Sequence, residues 1–494
     1  MPTQSTFRVN EDIGRQLSAR RKAIVLASCC MSVLIVSLDA TIINVAIPSI
    51  RAGLSASPAQ MQWVFDIYTL MIASLLLLAG AMADRFGRRR IFQIGLTVFA
   101  LASLVCSVAP NVETLIGARF LQAVGGSMLT PAAMSIVTQV FTGKVERARV
   151  IGIWGGVVGI SMAFGPIAGG LLIEYVDWRA VFWINVPICL LALMLTAIFV
   201  PESNSATMRR VDLIGLALGM AFLFGLVFVL IEGPEMGWTD TRVLVIGCLA
   251  ALAFAMFLRY ESSRLDPFLD LRFFRSIPFS SATAIALCAF ALWGAFLFMM
   301  SLYLQGERGL SAVHTGLMFL PVAGAALIFS PVSGRLVGRF GARPSLMIAG
   351  VFITVATLML AESSDATALW QLLVAFGIIG IGTSMVNAPI TNTAVSGMPT
   401  DRAGAASAVA STSRQVGVSI GVALCGSVAS PALGDTKVDF AAAARPLWLV
   451  FAGVGVLIFA LGVYSTSGRA LRSAEQLAPL IAGSDPRQKA AGVR

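Results

Sequence analysis

Long apolar runs separated by short polar segments recur along the whole chain. They fall at 24–48, 62–82, 91–109, 114–140, 149–173, 179–200, 213–231, 242–259, 279–304, 313–334, 345–361, 367–392, 403–430 and 446–466. A helix crosses the hydrocarbon layer in about 20 apolar residues, so the pattern predicts fourteen membrane-spanning helices. The runs are continuous rather than alternating, which argues against a transmembrane β-barrel. The expected fold class is an all-α membrane protein.

Composition supports this reading. Of 494 residues, 57% are hydrophobic and only 12% are charged, with a mean hydropathy of +0.86. A soluble domain carries about a quarter charged residues. Cys29, Cys30, Cys106, Cys189, Cys248, Cys288 and Cys425 all lie in or at the edge of apolar runs. They read as small buried packing residues, and no disulfide framework is implied. The first 22 residues are polar and basic, and the run behind them is too long for a cleaved signal, so it reads as a retained first helix.

The net charge of +10 is a topology signal. Counting Lys and Arg by loop places 27 of the 35 on one side, tails included, and six on the other, with Arg119 and Arg414 inside runs. The positive-inside rule makes the rich side cytoplasmic. Both termini and the Arg85–Arg90, Lys144–Arg149 and Arg335–Arg343 segments are then expected inside a bacterial inner membrane. Anionic lipid headgroups are the partner this charge implies. Charge spread over many short loops argues against nucleic acid.

An internal repeat organises the chain. Gly80-Ala-Met-Ala-Asp84-Arg85-Phe86-Gly87-Arg88-Arg89-Arg90 follows the second run. Gly334-Arg-Leu-Val-Gly338-Arg339-Phe340-Gly341-Ala342-Arg343 follows the tenth, 254 residues on. The reading is two pseudo-symmetric six-helix halves plus two inserted helices. The expected parts are a cytoplasmic tail at 1–22, a first half at 23–200, an inserted pair at 212–260 and a cytoplasmic linker at 261–277. A second half at 278–467 and a cytoplasmic tail at 468–494 complete the chain. Parallel repeats of this kind bind substrate near the midplane between the halves.

Several motifs then carry a resemblance. Leu38-Asp39-Ala40-Thr41 through Pro48 closes the first helix. Gly80 to Arg90 forms the segment after the second. Arg119-Phe-Leu-Gln122-Ala123-Val-Gly125-Gly126 opens the fourth, with Ala123 where a glycine is common. Gly155, Gly156 and Gly159, then Gly165-Pro166 and Gly169-Gly170, mark the fifth. Trp178-Arg179, Asn185 and Pro187 open the sixth, and Arg414-Gln415-Val-Gly417 lies in the thirteenth. In this order and spacing the chain resembles the fourteen-helix drug:proton antiporters of the major facilitator superfamily, over nearly its whole length.

The residues have their own physical reading. Asp39 and Asp66 are the acidic residues set well inside apolar runs. An ionisable group at that depth costs a few kcal/mol or more and usually faces a bundle interior or wet cavity. Proton coupling needs a group whose proton affinity swings between two environments. The resemblance makes Asp39 the first candidate for proton carrier, whereas Asp66 reads equally as a packing carboxylate. Arg119 keeps its proton, so it acts on a carboxylate nearby, and the resemblance gives it a coupling role. Gly80, Asp84, Arg85, Gly87 and Arg88 form a candidate conformational switch. The resemblance implies that Asp84 meets the start of the fifth helix of the other half, near Arg402 to Gly404. Gly155, Gly159, Gly165, Pro166, Gly169 and Gly170 form the antiporter motif, whose spacing of four lets two helix backbones approach. They are expected to make a leak-proof seam between sliding halves. Gln122, Asn387, Arg414 and Trp293 are candidate cavity residues. Arg414 reads equally as a helix–helix hydrogen bond, and Phe290, Trp293 and Phe296 equally as packing.

Other chemistry is sparse. His314 is the single histidine and is expected in an outside loop, so no metal site is suggested. There is no P-loop, no cofactor is implied, and no clustered catalytic set points to an enzyme. The segment 469–483 reads as a short interfacial helix. The function expected is export of a hydrophobic small molecule in exchange for protons, by a monomer. The alternatives are a metabolite or lipid transporter of the same fold with other coupling and, more remotely, a membrane enzyme or receptor.

Overall fold

A computed structural model of the chain describes residues 17–202, 212–264, 269–364, 366–398, 403–425 and 440–482. Among them there are helices and no strand. The first five runs become α1 (Ala19–Leu54), α2 (Pro58–Phe86), α3 (Arg88–Ser107), α4 (Val112–Val140) and α5 (Lys144–Tyr175). The sixth is broken into α6 (Ala180–Trp183) and α7 (Asn185–Phe199). The inserted pair is α8 (Leu213–Met236) and α9 (Thr241–Ser263). A short 3-10 turn, Leu271–Arg275, leads into α10 (Ile277–Leu302), which ends in a π-helical turn at Tyr303–Glu307. The tenth run divides into α11 (Ala312–Met318) and α12 (Leu320–Phe340). The eleventh is α13 (Ala342–Ala361), and the twelfth divides into α14 (Leu369–Ser384) and α15 (Asn387–Val395). Then follow α16 (Ala403–Leu424), α17 (Phe440–Tyr464) and α18 (Gly468–Ala482).

Among the described residues, 11 helices are long and apolar enough to cross a membrane, or 12 if the bent pair Pro58–Leu76 and Leu78–Phe86 is one span. Two more of the expected runs fall on α5 and α16, helices of 32 and 22 residues. The count of fourteen exceeds what these segments establish. Their outer faces are apolar: Leu101, Leu104 and Val108 by α3, Leu249 and Leu252 on α9, and Val450 and Val456 on α17 are all exposed. Exposed apolar surface repeated on so many helices suits hydrocarbon rather than water.

Local signals set the helix ends. Ser57 and Gln60 form a capping box ahead of Pro58, with the Gln60 N–H donating to Ser57 Oγ (3.2 Å) and the Ser57 N–H to Gln60 Oε1 (2.8 Å). Asn111 Oδ1 accepts the Thr114 N–H at 2.8 Å and starts α4. Such caps satisfy amides that the helix leaves unpaired. Three expectations are corrected. The segment after the second span is not a loop but one residue: Gly87, with φ of 106°, joins α2 to α3. That conformation suits glycine because a Cβ would strain it. Asp84 and Arg85 therefore lie in the last turn of α2, and Arg88 starts α3. Gly341, with φ of 77°, makes the same junction between α12 and α13. His314 lies in α11 rather than a loop. Cys248 is exposed, because α9 buries few of its residues; all seven cysteines are free, and Cys30 and Cys288 are only partly buried.

The chain divides into two compact units: Met1–Val211 with Leu304–Phe319, and Asp212–Tyr303 with Leu320–Arg494. In the first, α1 packs on α5, α2 and α3 on α4, and α3 on α7. In the second, α10 packs on α16, α12 and α13 on α14, and α13 on α17. The packing scheme is the same if α10 takes the part of α1 and α16 that of α5. Both key pairs are glycine seams. A Cβ on Gly165 would lie 2.0 Å from Thr41 Oγ1, and one on Gly169 2.8 Å from Ile42 Cγ1. On α16, a Cβ on Gly417 would lie 2.4 Å from the Leu287 carbonyl oxygen, and one on Gly421 1.9 Å from that of Ala291. Such close approach supplies the van der Waals contact that holds helices together in lipid. The inserted α8 and α9 pack on each other, with Phe222 and Phe254 rings 4.5 Å apart, and α8 touches α16. The terminal α18 buries Ala470, Ala474 and Leu477, and the Ile277 N–H at the start of α10 donates to Ser473 Oγ at 3.1 Å.

Candidate functional site

In the first unit four helices converge on one carboxylate. Asp39 sits in the middle of α1 and is 1% exposed, and Arg119 on α4 is 0% exposed. Arg119 Nη1 donates to Asp39 Oδ2 in a close ion pair. Gln122, three residues along α4, donates Nε2 to Asp39 Oδ1 at 2.9 Å and to Ser103 Oγ on α3 at 2.8 Å. Asn185, the first residue of α7, donates Nδ2 to the same Asp39 Oδ1 at 3.1 Å. The carboxylate thus accepts three side-chain hydrogen bonds, from α4 and α7.

Arg119 is itself held on several sides. Its Nε donates to the Val64 carbonyl at 3.2 Å and its Nη1 to Gln122 Oε1 at 2.7 Å. Its Cζ lies 4.1 Å from the centre of the buried Tyr68 ring and 5.8 Å from that of Phe182. An arginine so enclosed is not reaching for lipid headgroups. Charge-assisted hydrogen bonds of this kind are the strong ones, and the surrounding apolar packing keeps them dry. Asp66, the other intramembrane acid, is also fully buried in this unit, on α2.

The match to known proteins follows the same helices. Residues 29–422 fit the family model of the Major Facilitator Superfamily. The chain belongs to this superfamily. It is 36% identical over 418 residues to the multidrug resistance protein Stp of Mycobacterium tuberculosis, covering 84% of this chain and 78% of that one. It is 37% identical over 423 residues to the tetracenomycin C resistance and export protein of Streptomyces glaucescens, covering 84% and 77%. A crystal structure of a bacterial homologue of the human lysosomal transporter Spinster shares the fold. It has a TM-score of 0.64 and 17% identity, with 94% of this chain and 99% of that one covered.

Within this superfamily member the other candidate residues take definite places. Gly165 and Gly169 face α1 of their own unit rather than a helix of the second half. Gly170 takes the other face of α5, where a Cβ would lie 2.5 Å from the Ala312 carbonyl oxygen. Pro166 shares that face, with its carbonyl oxygen 2.5 Å from a Cβ built on Gly316. Gly155 and Gly159 lie in α5, but their surroundings fall outside the described residues. At the Gly87 junction, Asp84 pairs with Arg88 at 3.2 Å, and Arg88 also donates to Gln139 Oε1 on α4 at 3.3 Å. Arg402, the expected neighbour of Asp84, is outside the described residues. Arg85 stacks over the exposed Phe86 at 5.2 Å, and a Cβ on Gly80 would lie 3.7 Å from Pro131 Cβ.

The second unit gathers the remaining cavity candidates. Arg414 on α16 donates Nη2 to Thr391 Oγ1 on α15 at 2.6 Å, and its Cζ lies 5.9 Å from the Phe290 ring centre on α10. Asn387 is exposed one turn before Thr391, Trp293 is half-buried, and Phe296 is buried against Phe376 at 4.9 Å. Sequence reading did not single out Tyr68 and Ser103 as site residues and treated Asn185 only as part of a motif. Asn185 carried a signal: a polar amide at the break between α6 and α7, inside an apolar run. A serine and a tyrosine within apolar runs gave none.

Proposed function

We propose that this protein exports hydrophobic small molecules, drugs or toxic metabolites, in exchange for protons by alternating access. It works as a monomer in the bacterial inner membrane, with fourteen spans in two six-helix repeats plus an inserted pair and both termini in the cytoplasm. The resistance and export functions carried in its relatives' names support the cargo class. The observation that carries the coupling is the buried Asp39 held by Arg119, Gln122 and Asn185.

The chemistry follows from that geometry. Arg119 cannot release its proton, so Asp39 is the group that changes charge. A proton on Asp39 neutralises the carboxylate and leaves the guanidinium buried without a counter-charge. Breaking a buried pair in this way costs about 3–5 kcal/mol. Two conformers of a transporter differ by only a few kcal/mol, so proton arrival is large enough to select one of them. α1 also carries Thr41 and Ile42, the residues against which Gly165 and Gly169 close. A shift of α1 that answers the proton is therefore felt directly at the α5 seam.

The test is uphill transport in reconstituted vesicles under an imposed pH gradient, with an ionophore control. Asp39→Asn, a permanent mimic of the protonated acid, is expected to bind substrate and let it run downhill but not concentrate it. Asp66→Asn is expected to keep substrate-induced proton release. Full uphill transport by Asp39→Asn, or a wild type that ignores the pH gradient, overturns the coupling.

A further inference from the structure

The surroundings of Arg414 lack the group that makes Arg119 comfortable. Its described partners are one hydroxyl and one ring, Thr391 and Phe290. Its Nε is buried and has no hydrogen-bond partner among the described residues. Among the described residues no carboxylate pairs with it. A cation in an apolar helix is a functional site by default, because its burial is unfavourable unless something neutralises it. A threonine oxygen satisfies one N–H and neutralises nothing.

What the arrangement lacks defines what it would take. A guanidinium presents a planar fork of donors that matches two oxygens of an anion. The fork lies where α10, α15 and α16 meet, all within the second unit. On α15, Asn387 and Thr391 are one turn apart and exposed, whereas Pro389 and Thr393 on the opposite face are buried. On α10, Phe290 and the half-buried Trp293 are three residues apart and share a side of the helix. Gly417 and Gly421 fix α16 against α10 and so fix the guanidinium beside the Phe290 ring. The result is a positive fork between the Thr391 hydroxyl and the Phe290 ring, with Asn387 and Trp293 each about one turn along the helix from one of them.

We propose that Arg414, Thr391, Asn387 and the Phe290 and Trp293 rings form a subsite for the acidic oxygen of an aromatic substrate: a carboxylate, phenolate or enolate carried on a flat apolar body. This rests on the export function proposed above and names the substrate class that such export favours. A purely structural role for Arg414 is distinguishable. Glutamine in its place retains a donor for Thr391 and loses only the charge.

The experiment uses full-length protein, purified in detergent and also reconstituted in vesicles. Calorimetric titration compares 2-anthracenecarboxylate, its carboxamide and the matching aminomethyl compound, three probes on one skeleton. Wild type is expected to bind the carboxylate about tenfold or more tightly than the amide, the size of effect set by a charged hydrogen bond. Arg414→Gln is expected to bring the carboxylate down to the level of the amide, and Arg414→Lys to keep part of the preference. Asp39→Asn is expected to keep the acid preference in binding while losing uphill transport, so failure of the subsite and failure of proton coupling read out separately. The proposal is overturned if wild type binds none of the probes, binds all three alike or prefers the amine. It is also overturned if Arg414→Gln weakens all three equally. The wild-type preference decides the matter even where a variant does not fold.

Discussion

Arg119 and Arg414 both stand inside apolar helices, and the difference in their surroundings that matters most is a carboxylate. Arg119 has Asp39, an amide, a backbone carbonyl and the face of a tyrosine, and it is sealed from solvent. Arg414 has a hydroxyl and the edge of an aromatic pocket, and it stays partly accessible. The first arrangement is closed: its charge is met by the buried Asp39 carboxylate, although Nη2 of Arg119 has no hydrogen-bond partner among the described residues, so a proton is what changes it cheaply. The second is open: no carboxylate among the described residues meets its charge, so a substrate anion can complete it. One residue type thus does two jobs, and the carboxylate decides which.

The largest expected effect breaks the closed arrangement. Arg119→Gln takes the buried counter-charge away from Asp39 and leaves it neutral amides in its place. Removing one partner of a buried pair costs about 3–5 kcal/mol, so thermal unfolding in detergent is expected to move down sharply and expression to fall. Arg414→Gln removes a cation with no counter-charge among the described residues, so its midpoint is expected to stay near that of wild type. Equal destabilisation by the two variants would erase the distinction between them.

The seams give the next effect. Gly165→Leu forces a large side chain against Thr41 on the helix that carries Asp39, and Gly417→Leu forces one against Leu287 on the helix that carries Phe290 and Trp293. Overpacking costs about 1–3 kcal/mol, less than breaking the ion pair. Both variants are expected to insert into the membrane. Gly165→Leu is expected to lose or leak transport of every substrate, and Gly417→Leu to lose acidic substrates first. Vesicle transport of an acid and its amide measures the split. Wild-type rates from Gly165→Leu would show that α1 and α5 need not stay close.

Much of this was legible in the sequence, and what was not has a physical reason. Spans are written in apolar run length, so each predicted run overlaps described helix, with 426–430 of the thirteenth outside the described residues. Asp39 and Arg119 stand out because charge is rare at that depth, and Gln122 shares a face with Arg119. Glycine spacing gives the face of α5 but not the partner on it, so the seam expected against the second half is divided: Gly165 and Gly169 close on α1, whereas Pro166 and Gly170 meet α11, which lies within the expected second half at 278–467. The charges from Asp84 to Arg90 look like a loop, because nothing local says that Gly87 alone can turn the chain. Asn185 reaches Asp39 from 146 residues away, a distance over which periodicity carries no information.

The smallest effect is a pH response confined to the closed side of the comparison. Glu174, at the end of α5, accepts the Val313 N–H at 3.1 Å and so ties α5 to α11, beside the Gly170 contact. The Ser311 hydroxyl and that N–H hold its carboxyl below the usual value of 4.5. A depressed acid group contributes its contact fully above its ordinary value and loses it only as pH falls through the lowered one. The tie is therefore expected to be unchanged from about pH 8 to about pH 5 and to loosen only in stronger acid. Hydrogen exchange at the Val313 amide, corrected for its intrinsic pH dependence, measures this, with Glu174→Gln as the variant in which the charge is missing throughout. The side chain is exposed, so Glu174→Gln is expected to raise exchange at Val313 while leaving the Asp39-dependent uphill transport and the acid preference at Arg414 near wild type. Loosening of the wild-type amide between about pH 8 and about pH 5 would mean that a group with a higher proton affinity controls this end of α5, and the tie would then belong to the coupling machinery rather than stand outside it.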